Sequence, residues 1–219
     1  MDEPVKVEVQ FGQWIEQGFS LYKANFGLLV LATLVAFVLS TVTLGILAGP
    51  FFAGLLMITL RLVDGTEPPP AVGDVFGGFS CFLHSFLFVL VWFVVMLIGA
   101  TLLGLVPCVG QIASVFFSYA LQALLLFALF LIAEHKMDFW SASTRSIEVV
   151  KTNFWPFLAL TIVVGIIGSL GAIACGIGIV FTAPIAFCVY TVAYREVFGG
   201  GPAATQAPPQ SPEITDEKV

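Results

Sequence analysis

Three long intervals of this chain, residues 24–60, 75–133 and 152–194, contain no Asp, Glu, Lys or Arg. Each is long enough for two apolar passes of about 20 residues through a bilayer. A soluble domain is about one quarter charged. This chain is 10% charged and 59% hydrophobic, with a mean hydropathy of +1.04. The reading is an all-α integral membrane protein with about six transmembrane helices, arranged as three hairpins. Unbroken apolar runs argue against a transmembrane β-barrel, whose strands alternate in polarity. The net charge of −6 comes largely from the termini and one loop, so it says little about an acidic partner.

The first and last hairpins repeat one plan. Phe11, Lys23, Asn25 and Phe26 recur in register as Phe139, Lys151, Asn153 and Phe154, and Pro50 and Arg61 recur as Pro184 and Arg195. A short insertion around 174–179 separates the two sets. The pattern is that of an internal duplication, with repeat units 11–65, 74–136 and 139–198. The middle unit matches less well: Ser85-Phe86 stands where Asn25-Phe26 would fall, Pro107 sits at the turn, and no arginine closes it.

In chain order, residues 1–10 read as a mobile arm without a cleavable signal, so the first membrane helix is expected to act as its own signal. Phe11, Trp14, Ile15, Gly18, Phe19 and Tyr22 recur at helical spacing. They predict an amphipathic helix in the interface, with Trp and Tyr at headgroup depth. Similar interfacial helices are expected over Val75–Ser85 and Asp138–Thr152, the latter with Trp140, Ser143, Ile147 and Val150 on one stripe. The spans are expected at Phe26–Leu47, Phe51–Val63, Phe86–Leu105, Gln111–Ala133, Phe154–Ala174 and Ile177–Val197. Asn25, Ser85 and Asn153 are the expected helix caps. Gly49-Pro50 and Pro107 mark turns, and Pro184 predicts a kink. The tail 199–219 is rich in Pro, Gly and acid and reads as disordered.

Lys23, Arg61, His84, Lys136, Arg145, Lys151 and Arg195 all fall at one end of the expected spans, and the opposite turns carry no charge. The positive-inside rule then puts both termini in the cytoplasm. A rival arrangement fits the same charges: hairpins that dip into the bilayer and return, which the short second span would permit.

Few residues suggest chemistry. Cys81, Cys108, Cys175 and Cys188 form no Cys-x-x-Cys pair. Cys108 and Cys175 fall on outer turns, where they could be bridged or could simply be small residues packed at helix ends. His84, His135 and Glu134 have no metal-ligand spacing. Arg61 and Arg195, with Lys23 and Lys151, are candidates either to clamp lipid phosphate or to anchor helix ends, the arginines pairing with Asp64 and Glu196. Gly165, Gly168, Gly171, Gly176 and Gly178, with Ser169, suggest close helix packing. There is no metal site, cofactor motif, Ser-His-Asp set, phosphate loop or nucleic-acid patch. No acid or base falls at mid-membrane, which weighs against an ion-coupled carrier.

The order GPFFAG (Gly49–Gly54), an Arg-x-x-x-Gly end to the second span, DVFGGF (Asp74–Phe79), PCVG, Ser146, Asn153-Phe154, Pro184 and Tyr194 resembles uncharacterised bacterial six-span membrane proteins of the YciC-like type. It is also similar to the membrane domain attached to some glycerophosphodiester phosphodiesterases. The chain departs from that pattern at PCVG, where Pro-Gly is more usual. The resemblance implies a multi-pass protein of the bacterial cytoplasmic membrane. The functional expectation is a non-enzymatic accessory or lipid-interacting component, whose partners are membrane lipids and other membrane-protein subunits. A small transporter or channel subunit is the first alternative and a lipid-headgroup enzyme the second.

Overall fold

The computed structural model describes residues 10–106, 109–173 and 177–198. Among them every regular element is helical: α1 (Phe11–Ala24), α2 (Phe26–Val42), α3 (Ala48–Val63), the 3-10 segment η1 (Val72–Cys81), α4 (Phe82–Gly104), α5 (Val109–Leu124), α6 (Ala128–His135), α7 (Phe139–Thr152), α8 (Phe154–Ile173) and α9 (Ile177–Val197). Residues 1–9 of the expected arm, the tail 199–219, Pro107, Cys108, Cys175 and Gly176 lie outside the described residues.

Three continuous stretches are long and apolar enough to cross a membrane: η1–α4 (Val72–Gly104), α5–α6 (Val109–His135) and most of α9 (Gly178–Val197). Counting the bent pairs α1–α2 and α7–α8 as one span each raises this to five. The chain thus has the helices of a membrane protein. α3 is the short one, with 16 residues and a length of about 24 Å at ~1.5 Å per residue.

α3 lies at the centre of the bundle. Gly49, Pro50, Phe51 and the run Ala53–Leu56 are buried, as are Ile58, Thr59 and Leu60. α2, α4, α6, α9 and η1 all pack against it. A helix enclosed over most of its surface is apolar over most of its surface, and Phe52 is the large side chain of α3 that faces outward. The two glycine motifs of the sequence form one contact here. A Cβ on Gly54 would lie 1.8 Å from the Val75 carbonyl oxygen, and one on Gly78 would lie 1.9 Å from that of Pro50. Glycine is therefore required in both GPFFAG and DVFGGF, because backbone meets backbone with no room for a side chain.

Several sequence expectations change. The first span ends at Val42, not Leu47. The chain reverses over Thr43–Leu47, where Leu44 and Gly45 take positive φ (52° and 81°). Gly49 and Pro50 therefore belong to the first turn of α3 and not to the turn itself; Pro50 loses nothing there because a first-turn N–H has no helical partner. The fourth span is broken at Leu125–Phe127 into α5 and α6. Ser85 is not a cap: it lies inside α4, and its hydroxyl donates to the carbonyls of Cys81 (2.9 Å) and Phe82 (3.1 Å). Asn25 occupies the N-cap position of α2, but its side chain turns back and Nδ2 donates to the Leu21 carbonyl at 3.1 Å, closing α1 instead. Asn153 joins α7 to α8 through its backbone, its N–H donating to Val150 and its carbonyl accepting from Phe157. Pro184 lies within α9.

The amphipathic helices are docked, not merely adsorbed. Trp14 is fully buried and stacks on Phe157 at 6.0 Å, so it is a core residue and not a headgroup-depth ring. Gly18 lets α1 cross against the Val189 backbone, where a Cβ would lie 2.7 Å away. On α7 the buried stripe is Ala142, Ser143, Ser146 and Val150, while Trp140 faces outward. Gly165 meets the Tyr119 ring and Gly171 meets Gly178 across the α8–α9 pair, whereas Gly168 faces open space.

Candidate functional site: the charged end of the bundle

Asp64 follows the last residue of α3, Glu134 stands in the last turn of α6 and Arg195 in the last turn of α9. These three helix ends meet, so one guanidinium serves two carboxylates. Arg195 Nη1 lies 2.5 Å from Glu134 Oε1, and Nη2 lies 2.5 Å from Asp64 Oδ2. The second oxygen of Glu134 accepts from the Tyr194 hydroxyl at 2.6 Å. Tyr194 is fully buried and stacks on Phe130 at 4.8 Å, and Arg195 lies over the Tyr194 ring. An aromatic wall thus covers one side of the cluster, while Asp64 and Glu134 keep 34% and 26% of their side chains exposed. Only 12% of the Arg195 side chain is exposed, and charge-assisted bonds strengthen in such surroundings. Next to it, Trp14 Nε1 donates to Glu196 Oε2 and ties α1 to the end of α9.

A second clamp lies at the same end of α3, where that helix meets the start of η1. Arg61 Nη1 pairs with Asp74 Oδ2 at 2.7 Å, and Nη2 donates to the Pro68 carbonyl at 3.0 Å. The same Asp74 oxygen accepts from the Ala71 N–H at 2.9 Å. Both pairings differ from the sequence expectation: Asp64 partners Arg195 rather than Arg61, and Glu196 partners Trp14 rather than an arginine. Sequence reasoning also passed over Glu134 as the partner of Arg195. Its proximity to His135 was visible, but its arginine lies 61 residues later.

The lysines are placed differently. Lys23 is exposed, its Nζ 4.5 Å from the centre of the Phe19 ring, and Lys151 is exposed at the end of α7. Among the four basic candidates, then, the arginines are occupied by carboxylates and the lysines point outward. His135 Nε2 lies 3.8 Å from Glu134. Among the described residues no group of three or more His, Cys, Asp or Glu is placed to hold a metal ion.

A third polar feature sits at the break in α5–α6. The Ser146 hydroxyl of α7 donates to the Leu124 carbonyl at 2.8 Å and accepts from the Phe127 N–H at 3.1 Å. One side chain thereby meets two of the backbone groups that the break releases. Ser143, one turn away, accepts from Trp92 Nε1 at 3.0 Å and fixes α7 to α4. Chemically these arrangements latch helices together: both terminal nitrogens of Arg195 and two groups of the broken backbone find partners within the chain, while Arg195 Nε is buried without one. No protein family, no curated protein and no solved structure matches this chain.

Proposed function

We propose that the protein is a non-enzymatic, lipid-engaging component of a bacterial cytoplasmic membrane, with its charged end and both termini on the cytoplasmic side. One observation carries the reading. α1 turns by 89° into α2, and α7 turns by 106° into α8. With the spans along the membrane normal, α1 and α7 lie in its plane, at the depth where an amphipathic helix is stable. Their last turns carry Lys23 and Lys151, both outward, where a lysine near an anionic surface contributes about 1 kcal/mol. In this reading α2, α3, α4, α5–α6, α8 and α9 make six passes. The matched bends at Asn25 and Asn153, each followed by a hairpin closing on an arginine, support the internal duplication and the resemblance to the YciC-like proteins.

The test is enrichment of phosphatidylglycerol among the lipids that the purified protein carries out of nanodiscs of graded phosphatidylglycerol content. Exchanging Lys23 and Lys151 for Gln should weaken anionic-lipid retention severalfold and flatten its salt dependence, while Arg61→Gln, with its charge already paired to Asp74, leaves it unchanged. Equal retention by the lysine variant would sink the lipid-engaging role. A second reading, a transport subunit, draws on the broken α5–α6 helix, since carriers place substrate at discontinuous helices. It predicts a solute flux from reconstituted vesicles that the Ser146 variants described below alter.

A further inference from the structure

Hydroxyls inside apolar helices normally bond a carbonyl one turn back. Thr41, Thr43, Thr59, Thr161 and Thr191 all do so here. Thr33 and Ser40 do not: Thr33 Oγ1 and Ser40 Oγ are both buried with no hydrogen-bond partner. Thr33 is only 5% exposed. The two residues are two helical turns apart, on one face of α2, and both line the same cleft. That cleft lies between α2, α3 and α9, has a volume of about 550 Å³, and is walled by Ala36, Leu55, Ala183 and Phe187 among others. The volume falls within the range of ligand sites, about 300–1,000 Å³. An unpartnered buried hydroxyl is costly, and two aligned along one cleft mark a place where an external acceptor completes the structure.

The geometry points to a binding site for an uncharged, carbonyl-bearing lipid. No charged residue lines the cleft, which disfavours an ionic headgroup. Thr33 lies about 12 Å and Ser40 about 22 Å along α2 from Asn25, at ~1.5 Å per residue, below the headgroups and within the hydrocarbon. A ligand whose polar atoms reach that depth carries them on an apolar body. The two hydroxyls stand about 10 Å apart along α2 at ~1.5 Å per residue, so each donates to a separate carbonyl of the ligand. This deepens the proposed lipid engagement and depends on its membrane placement, but on none of its lysines.

The experiment is native mass spectrometry of the full chain in detergent with three added probes: decylubiquinone, dioctanoylglycerol and phosphatidylcholine. Wild type should retain one equivalent of one of the first two, and which one identifies the source as a quinone or a glyceride. Thr33→Val with Ser40→Ala keeps the shape and removes the donors. It should lower that affinity at least tenfold while leaving the melting temperature unchanged or raising it, since orphaned groups are lost. Ala183→Leu, which fills the cleft from α9, should abolish retention. No binding of either neutral probe, equal binding by the double variant, or equal occupancy by phosphatidylcholine would each overturn the site. The nanodisc experiment with Lys23 and Lys151 fails or succeeds independently, so the two readings are separable.

Discussion

Arg195 is joined to Asp64 across 131 residues of sequence, Nη2 to Oδ2 at 2.5 Å, while its other terminal nitrogen holds Glu134. Helices α3, α6 and α9 are thereby fixed at one end by a single side chain. Arg195→Gln should cost about 3 kcal/mol, because it strands two carboxylates beside an aromatic wall. Asp64→Asn should cost less than ~1 kcal/mol, since Asp64 is 34% exposed. Thermal unfolding in detergent checks the order; equal losses would show that the arginine is not the hub.

Ser146→Ala should cost about 1–3 kcal/mol, the penalty of leaving a buried donor and acceptor unmade. Ser146→Thr keeps the hydroxyl and should restore most of the loss. The contrast between the two variants, read as melting temperatures, separates lost hydrogen bonding from altered packing.

Gly54→Ala and Gly78→Ala should each destabilise by about 1–3 kcal/mol or more, because the added methyl meets backbone rather than a movable side chain. Gly27→Ala, where a Cβ has nothing within 4 Å, is the control and should be neutral or stabilising. Hydrogen exchange at the η1 amides should rise in the first two variants and stay level in the control.

Asp138 caps α7, accepting from the Ser141 N–H at 2.9 Å, and this bond holds its carboxyl below its ordinary value of 3.8. A lowered folded-state pKa contributes stability above the ordinary value. That stability is lost as pH falls through the folded value. Asp138→Asn keeps the cap and has no proton to gain, so the acid arm of its stability profile below about pH 4 should be shallower than that of wild type.

The apolar intervals and the bends at Asn25 and Asn153 were legible because lipid demands unbroken apolar helices, and because polar residues at regular spacing mark where they stop. Trp14 was misjudged because a tryptophan on an amphipathic helix suits headgroups and core equally well. Its contact with Glu196, 182 residues away, decides between them. The break at Leu125–Phe127 left no mark: Leu-Leu-Leu-Phe contains neither Gly nor Pro, and the serine that meets the break stands on another helix. The charged cluster was half visible. Arg195 stood out as the only charge for forty residues before it, but choosing Glu134 over the adjacent Glu196 depends on which helix ends converge, and local sequence does not contain that. The glycine motifs were recognisable as motifs, and only the α3–η1 contact explains why they occur together.

The serine that splints α5 to α6 belongs to a segment translated after both. Until α7 is made, the Leu124 carbonyl and the Phe127 N–H of the α5–α6 stretch lack the hydroxyl that meets them. Its final shape waits for α7 to arrive. The middle of this protein is therefore completed from its C-terminal side, and a polypeptide cut before Ser146 would present quality-control proteases with an unfinished helix.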